Sequence, residues 1–240
     1  MILAHDPFQP TPDSPDWDPE ARGEWVNRSP RHFIEMIASM NRMVGRLNDH
    51  LGELGLRERT LLIVLGDNGT NRGIVSRFEG RNYPGGKGTT TRHDHHVPLV
   101  VSWPGKIQGG RVSSDLVAAV DFLPTVCQAA GVAPPAGIDG ASFLPQILGE
   151  PGQPRSAIFS WYSPRQNNAR VIVSAFDPHL KRYGDGRLFN PRTDPLERRP
   201  LDFDRLSHEQ AGSHERLKAL MDRFADARPA ELDRLFDPEP

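Results

Sequence analysis

The most constraining feature of the sequence is a short, wholly apolar run that follows a long amphipathic segment. Apolar residues recur at steps of three and four within 33–54, which predicts a helix with one buried face. Ser29 and Pro30 are typical of a helix start, and Gly55 is typical of a helix stop. The run 60–65 then predicts a strand that is buried on both faces of a sheet. Helix, short loop and buried strand in this order indicate an α/β fold.

Further segments extend this pattern. Residues 98–103 form a second apolar run, and 116–120 form a third candidate strand. Asp121 follows as the expected N-cap of a helix over 122–130, which Gly131 would close.

Beyond about residue 150 the pattern changes to short strands separated by turns. Residues 157–162, 169–174 and 179–183 predict an antiparallel sheet, and 184–186 predict a tight hairpin into 187–189. A polar helix is expected over 208–227. We therefore expect two domains: an α/β domain over 1–150, and a small C-terminal α+β subdomain over 151–240.

Composition and charge give no sign of a nucleic-acid partner or of a membrane span. The net charge is −2, so the charge balance does not indicate a nucleic-acid partner. No apolar run reaches the roughly 18 residues that a membrane-spanning helix needs, and no signal peptide is recognisable. Cys127 is the single cysteine, and its neighbours favour a small core residue over a reactive thiol.

Asp67 and Asn68 follow the first predicted strand, where open α/β sheets bind their ligands. A carboxylate beside an amide oxygen offers two donors that suit Ca²⁺ or Mg²⁺. The alternative is an Asp-Asn-Gly hairpin turn, which would need a partner strand directly afterwards. Residues 71–80 are too polar and irregular for that strand, but the local pattern leaves both interpretations open.

Lys87 stands alone in a glycine-rich loop, 82–91. Glycines allow the backbone to approach an anion, and the ammonium group can neutralise the anion. The loop is not a P-loop, because Gly88 follows the lysine, and a flexible surface loop is the alternative. His93, His95 and His96 surround Asp94, but adjacent histidines rarely ligate one zinc ion together. We expect a solvated cluster on a loop.

Seven segments, taken in order, resemble the type I, formylglycine-dependent sulfatases of the alkaline phosphatase superfamily. They are 5–12, 66–69, 85–90, 97–105, 120–125, 138–145 and 186–197. The resemblance implies an alkaline-phosphatase-like mixed sheet flanked by helices, of which residues 1–150 are the C-terminal portion. A small antiparallel sheet with one helix then follows.

The resemblance also implies residue roles. Asp67 and Asn68 match a metal-ligand pair that normally holds Ca²⁺, with Mg²⁺ as the alternative ion. Lys87 matches the lysine that contacts the sulfate group, and His5 matches the histidine near the leaving-group oxygen. His96 is the only match to the Asp-x-Gly-x-His run of similar members, which implies a substrate contact there.

The implied reaction is hydrolysis of a sulfate ester of a small molecule or a glycan. Related enzymes hydrolyse phosphonates or phosphodiesters, and a non-catalytic remnant is the third alternative. The Cys/Ser-x-Pro-x-Arg motif, whose first residue becomes formylglycine, has no match in the sequence, and neither does the upstream Asp-Asp metal pair. We therefore expect a partial chain that is inactive in isolation. The family suggests a periplasmic or secreted location and is compatible with an oligomer.

Overall fold

The computed structural model describes residue 5 and residues 7–20, 29–163 and 171–227. The chain divides into two compact units. Unit 1 comprises Met1–Thr89 and His93–Gly109, and unit 2 comprises Thr90–Arg92 and Gly110–Pro240. These units divide near residue 110, and the domain boundary expected near residue 150 stays a prediction.

Unit 1 begins with the predicted long helix, α1 (Pro30–Glu53). The side chain of Ser29 accepts a hydrogen bond from the backbone N–H of His32, which confirms the N-cap. The expectation of a buried face is wrong, because α1 has no buried residue and Ile34 is 65% exposed. Within the described residues of unit 1, local contacts such as the Phe8 ring against the Phe33 ring, at 5.1 Å, cover only part of this face.

Four strands follow within the described part of unit 1: β1 (Leu62–Leu65), β2 (Val75–Phe78), β3 (Arg81–Pro84) and β4 (Leu99–Ser102). β1 pairs antiparallel with β4, so both predicted apolar strands are present. They are not buried on both faces, because Val100 is 59% exposed and the two strands form a sheet of their own.

The hairpin of β2 and β3 was not predicted. The interpretation of 71–80 as too polar and irregular for a strand is wrong, because β2 lies within this range. Its turn is formed by Glu79 and Gly80, which both have positive φ angles of 49° and 75°. Two successive residues with positive φ are typical of a type I′ turn, whose twist suits a two-residue hairpin.

A short helix, α2 (Arg92–His95), precedes β4. In unit 2 the third candidate strand is wrong. Leu116 makes only an isolated bridge to Arg155, and Ala119–Asp121 forms a 3₁₀ turn that leads into α3 (Phe122–Ala129).

Asp121 directly precedes α3 as predicted, but its side chain does not cap this helix. The buried carboxylate accepts hydrogen bonds from the backbone N–H groups of Ala118 and Ala141, both at 2.8 Å. It also pairs with the guanidinium group of Arg155. The aspartate therefore ties three segments of unit 2 together.

The rest of unit 2, as far as its residues are described, contains α4 (Leu144–Leu148), four strands and α5 (His208–Arg223). The strands are β5 (Ile158–Tyr162), β6 (Ile172–Phe176), β7 (Lys181–Tyr183) and β8 (Leu188–Phe189), and they form one antiparallel sheet in that order. Strands and helix lie close to the predicted positions. The core comprises Ala157, Ala175, Leu180, Leu188 and Leu217. No described helix is both long enough and apolar enough to cross a bilayer.

Candidate functional site

The turn after β1 carries the predicted metal ligands. Asp67 and Asn68 are exposed and lie just beyond the C-terminal end of the strand. The backbone N–H of Asn68 donates to Asp67 Oδ1 at 2.9 Å, and the N–H of Gly66 donates to the carbonyl of Pro98 at 2.9 Å. β1 pairs with β4 and β2 pairs with β3, so the Asp-Asn-Gly segment is not the turn of a hairpin. The hairpin-turn alternative is therefore wrong, and metal binding at this turn stays a prediction.

The Lys87 loop packs closely against its neighbours. The N–H of Lys87 donates to the carbonyl of Thr70 at 3.0 Å, and the N–H of Gly85 donates to the carbonyl of Ile74 at 2.9 Å. A Cβ on Gly85 would lie 2.2 Å from the carbonyl oxygen of Asn71, and one on Gly86 would lie 2.6 Å from the carbonyl carbon of His93. These glycines therefore permit close backbone packing, which is not typical of a flexible surface loop.

His5 and Lys87 meet although 82 residues separate them, with His5 Nε2 lying 2.5 Å from Lys87 Nζ. His5 is exposed and Lys87 is half-buried. A lysine ammonium group only donates hydrogen bonds, so the ring nitrogen accepts in this pair. The structure thus brings together the two residues expected to bind an anion and to move a proton. His96 is exposed and lies between α2 and β4.

The expectation of a solvated histidine cluster is wrong for His93 and Asp94, which are both buried in α2. The His93 ring stacks on Tyr83 with centroids 3.8 Å apart, and its Nδ1 lies 2.7 Å from the carbonyl oxygen of Pro84. α2 packs against both the turn after β1 and the glycine-rich loop. This packing is possible because Gly69 and Gly86 have no side chain that would clash with the α2 backbone. Burial raises the pKa of Asp94 despite its hydrogen bonds to backbone N–H groups.

Besides Asp94, Arg72 is a residue of this site that the sequence pattern did not single out. Its Nε donates to the carbonyl of Lys87 at 2.9 Å, and its Nη2 donates to the carbonyl of Gly88 at 2.8 Å. The planar guanidinium group therefore holds the lysine loop through two successive carbonyl groups. The available signal was weak: a lone arginine between the Asp67–Asn68 turn and the β2–β3 hairpin.

Thr90, three residues after Lys87, is held by a buried network in unit 2. Lys181 Nζ donates to the carbonyl of Thr90 and to Glu197 Oε1, the latter at 2.8 Å. The hydroxyl of Tyr183 donates to Glu197 Oε2 and lies 2.8 Å from Thr90 Oγ1. Burial lowers the pKa of Lys181 and raises the pKa of Tyr183.

The donors fit only part of a metal shell. Asp67 and Asn68 supply hard oxygen ligands, but Ca²⁺ takes about six to eight oxygens. Among the described residues, no group of three or more His, Cys, Asp or Glu side chains could hold a metal ion. A Ca²⁺ ion at this turn would therefore need further oxygens from elsewhere.

Comparisons with known proteins converge on one family. The family model described as Sulfatase matches residues 4–132. The model described as N-sulphoglucosamine sulphohydrolase, C-terminal, matches residues 89–200. The chain is 33% identical to human arylsulfatase A over 151 residues, covering 62% of this chain and 29% of that protein. It is 28% identical to dog N-acetylgalactosamine-6-sulfatase over 206 residues, covering 71% and 39%.

Two solved structures share the fold. One, in complex with its substrate D-glucosamine-2-N,6-O-disulfate, has a TM-score of 0.68 at 22% identity, covering 83% of this chain and 41% of that one. The other, a sulfatase from a Pseudoalteromonas species, has a TM-score of 0.62 at 21% identity, covering 86% and 45%. The chain therefore spans less than half the length of each of these four proteins.

Proposed function

Because this chain belongs to the sulfatase family, we propose that it contributes the anion-binding and proton-transfer side of a sulfate ester hydrolase. The single observation that carries the proposal is the pairing of Lys87 with His5. The backbone of Lys87 also bonds that of Thr70, two residues after Asn68. All four residues lie in the segment that the family model matches.

Lys87 binds the sulfate group in this proposal. Its ammonium group would contact the negatively charged sulfate oxygens of the substrate. The negative charge is redistributed over these oxygens and the leaving oxygen as the ester bond breaks. A fixed cation at that position stabilises the transition state more than water does, because the loop orients it in advance. The hydrogen bonds that the Thr70 carbonyl and the Arg72 guanidinium group make to this loop support such a rigid placement.

His5 moves the proton in this proposal. The alcohol that leaves a sulfate ester departs as an alkoxide unless a proton reaches its oxygen. His5 Nε2 lies next to Lys87 Nζ. A sulfate that binds the lysine would replace this hydrogen bond, and the protonated ring would then donate a proton from Nε2 to the bridging oxygen. Imidazole is well suited to proton transfer near neutral pH.

Asp67 and Asn68 would hold a Ca²⁺ ion, with Mg²⁺ as the alternative, through their side-chain oxygens. Such an ion would supply charge stabilisation to the sulfate oxygens. Formylglycine would supply the covalent nucleophile, and its motif has no match among the 240 residues, so no residue of this chain is assigned that step. His96 is proposed to contact the substrate. We favour a sulfated glycan as substrate, because a structural neighbour was solved with a sulfated glucosamine.

The proposal is tested by titrating the chain with inorganic sulfate in a calorimeter, with and without Ca²⁺. Lys87→Ala should weaken sulfate binding about tenfold or more, which corresponds to about 1.4 kcal/mol. Lys106→Ala is the matched control, since Lys106 is an exposed lysine of the same unit, and it should leave the affinity unchanged. Equal effects of the two substitutions, or tighter binding of methylphosphonate than of sulfate, would contradict the proposal.

A further inference from the structure

The carboxylate of Asp94 contacts both loops that carry the proposed ligands. Asp94 Oδ1 accepts a hydrogen bond from the backbone N–H of Gly69 at 2.9 Å. The same carboxylate accepts a hydrogen bond from the backbone N–H of Gly88. Gly69 directly follows Asn68, and Gly88 directly follows Lys87. One buried side chain therefore joins the metal turn to the anion loop.

The local packing permits little freedom in this arrangement. A Cβ on Gly69 would lie 2.6 Å from Asp94 Cα and 2.2 Å from the carbonyl oxygen of His93. The turn therefore rests directly on the backbone of α2, which places the carboxylate below it. Arg72 donates to the carbonyl groups of Lys87 and Gly88, whereas Asp94 accepts from the N–H group of Gly88. The lysine loop is therefore held through both its carbonyl and its N–H groups.

We propose that Asp94 is a positioning residue that sets the spacing between the Asp67–Asn68 turn and Lys87. Hydrogen bonds to a carboxylate are shorter and stronger than those to a neutral acceptor, so two of them restrain both loops. With this spacing set, cation binding at the turn and sulfate binding at the lysine assist one another. The role in ligand binding rests on the proposed function, whereas the restraint of the loops does not.

Hydrogen exchange of individual glycine amides, followed by NMR with isotopic labelling of glycine only, tests the restraint directly. In the unmodified chain the Gly69 and Gly88 amides should be protected. Asp94→Ala removes both acceptors, so both amides should exchange at least tenfold faster. Asp94→Asn keeps a neutral acceptor oxygen in place of the carboxylate, so it should preserve more of the protection than Asp94→Ala does. Asp49→Ala, at an exposed aspartate on α1, is the matched control and should change neither.

A calorimetric titration then tests the functional part. In the unmodified chain, sulfate should increase the affinity for Ca²⁺. In Asp94→Ala this increase should be severalfold smaller. The affinity for Ca²⁺ alone and the affinity for sulfate alone should change less than the increase does. Protection of Gly69 and Gly88 that survives in Asp94→Ala would overturn the positioning role. So would an equal loss of protection at the Gly66 amide, which donates to the carbonyl of Pro98 beside the β1–β4 pair, because that result indicates a general loss of fold. A chain that binds neither Ca²⁺ nor sulfate would refute the proposed function, while the exchange rates would still decide the restraint.

Discussion

Replacing Glu197 by glutamine should strongly destabilise the chain, because it removes the charge that balances a buried lysine. Lys181 and Glu197 form an ion pair in which the side chains are 4% and 8% exposed. Removing one partner of a buried pair leaves an uncompensated charge and costs about 3–5 kcal/mol. At roughly 2–4 °C per kcal/mol for a chain of this size, the melting temperature should fall by about 6–20 °C.

The pH dependence supplies a second, independent readout. The folded-state pKa of Lys181 is lowered by burial, so the folded chain binds this proton less tightly than the unfolded chain does. Its contribution to stability is therefore present above the unfolded pKa of 10.5 and is lost as pH falls through the folded pKa. Without Glu197 the folded pKa should fall further, because neutral lysine needs no partner. The destabilisation by Glu197→Gln should therefore shrink as pH rises.

Thermal unfolding followed by circular dichroism across a pH series measures both effects. The matched control is Asp185→Asn, which breaks an ion pair with Arg187 whose side chains are both 54% exposed. Exposed pairs contribute about 0–1 kcal/mol, so this substitution should shift the melting temperature by only a few degrees at most. A loss for Glu197→Gln no larger than that of the control would refute the reasoning, and so would a loss that grows with pH.

Two further substitutions test the loops. In a protein that joins this chain to a Cys-x-Pro-x-Arg segment, Asp67→Ala should lose Ca²⁺ affinity, and added Ca²⁺ should restore part of the activity. Lys87→Ala should instead keep Ca²⁺ affinity in calorimetry and lose about 10²–10³ in turnover of an aryl sulfate. If Lys87→Ala lost Ca²⁺ affinity and Asp67→Ala kept it, the two assigned roles would be wrong. Gly85→Ala should destabilise the chain by about 1–3 kcal/mol in urea unfolding, because its Cβ would lie 2.2 Å from a carbonyl oxygen. Gly109→Ala, with nothing within 4 Å of its Cβ, should not, and equal effects would contradict the clash.

Local sequence signals predicted the elements whose cues lie within a few residues. Ser29 and Pro30 marked the start of α1 correctly, since a cap depends only on the first turn of the helix. The strands β1 and β4 were recognised from their apolar runs. The burial of α1 and β1 was not predicted correctly, because periodicity indicates which face is apolar and not what covers it. Residues 116–120 failed as a strand because the buried Asp121 accepts the N–H of Ala118 and turns the chain.

The candidate site divides in the same way. Asp67, Asn68, Lys87 and His5 were singled out from residue chemistry and resemblance, and the meeting of His5 with Lys87 is long-range information that spacing does not contain. Asp94 was considered only as a member of a histidine cluster. Asp94 bonds Gly69, which lies 25 positions earlier in the sequence. The proposed positioning role follows from the burial and contacts of Asp94, which residue type alone does not predict.

The two missed residues, Asp94 and Arg72, share a property that explains why they were missed. Both bind backbone groups of the lysine loop, and a partner made of backbone groups leaves no pattern of residue types in the sequence. A lysine on a glycine-rich loop has little rigidity of its own, because glycine restricts the backbone least. An anion site needs that rigidity, since a cation placed in advance stabilises a transition state without reorganising. The glycines that permit close packing around Lys87 therefore require partners such as Asp94 and Arg72, and residues that bind loop backbone should be sought wherever a catalytic lysine lies among glycines.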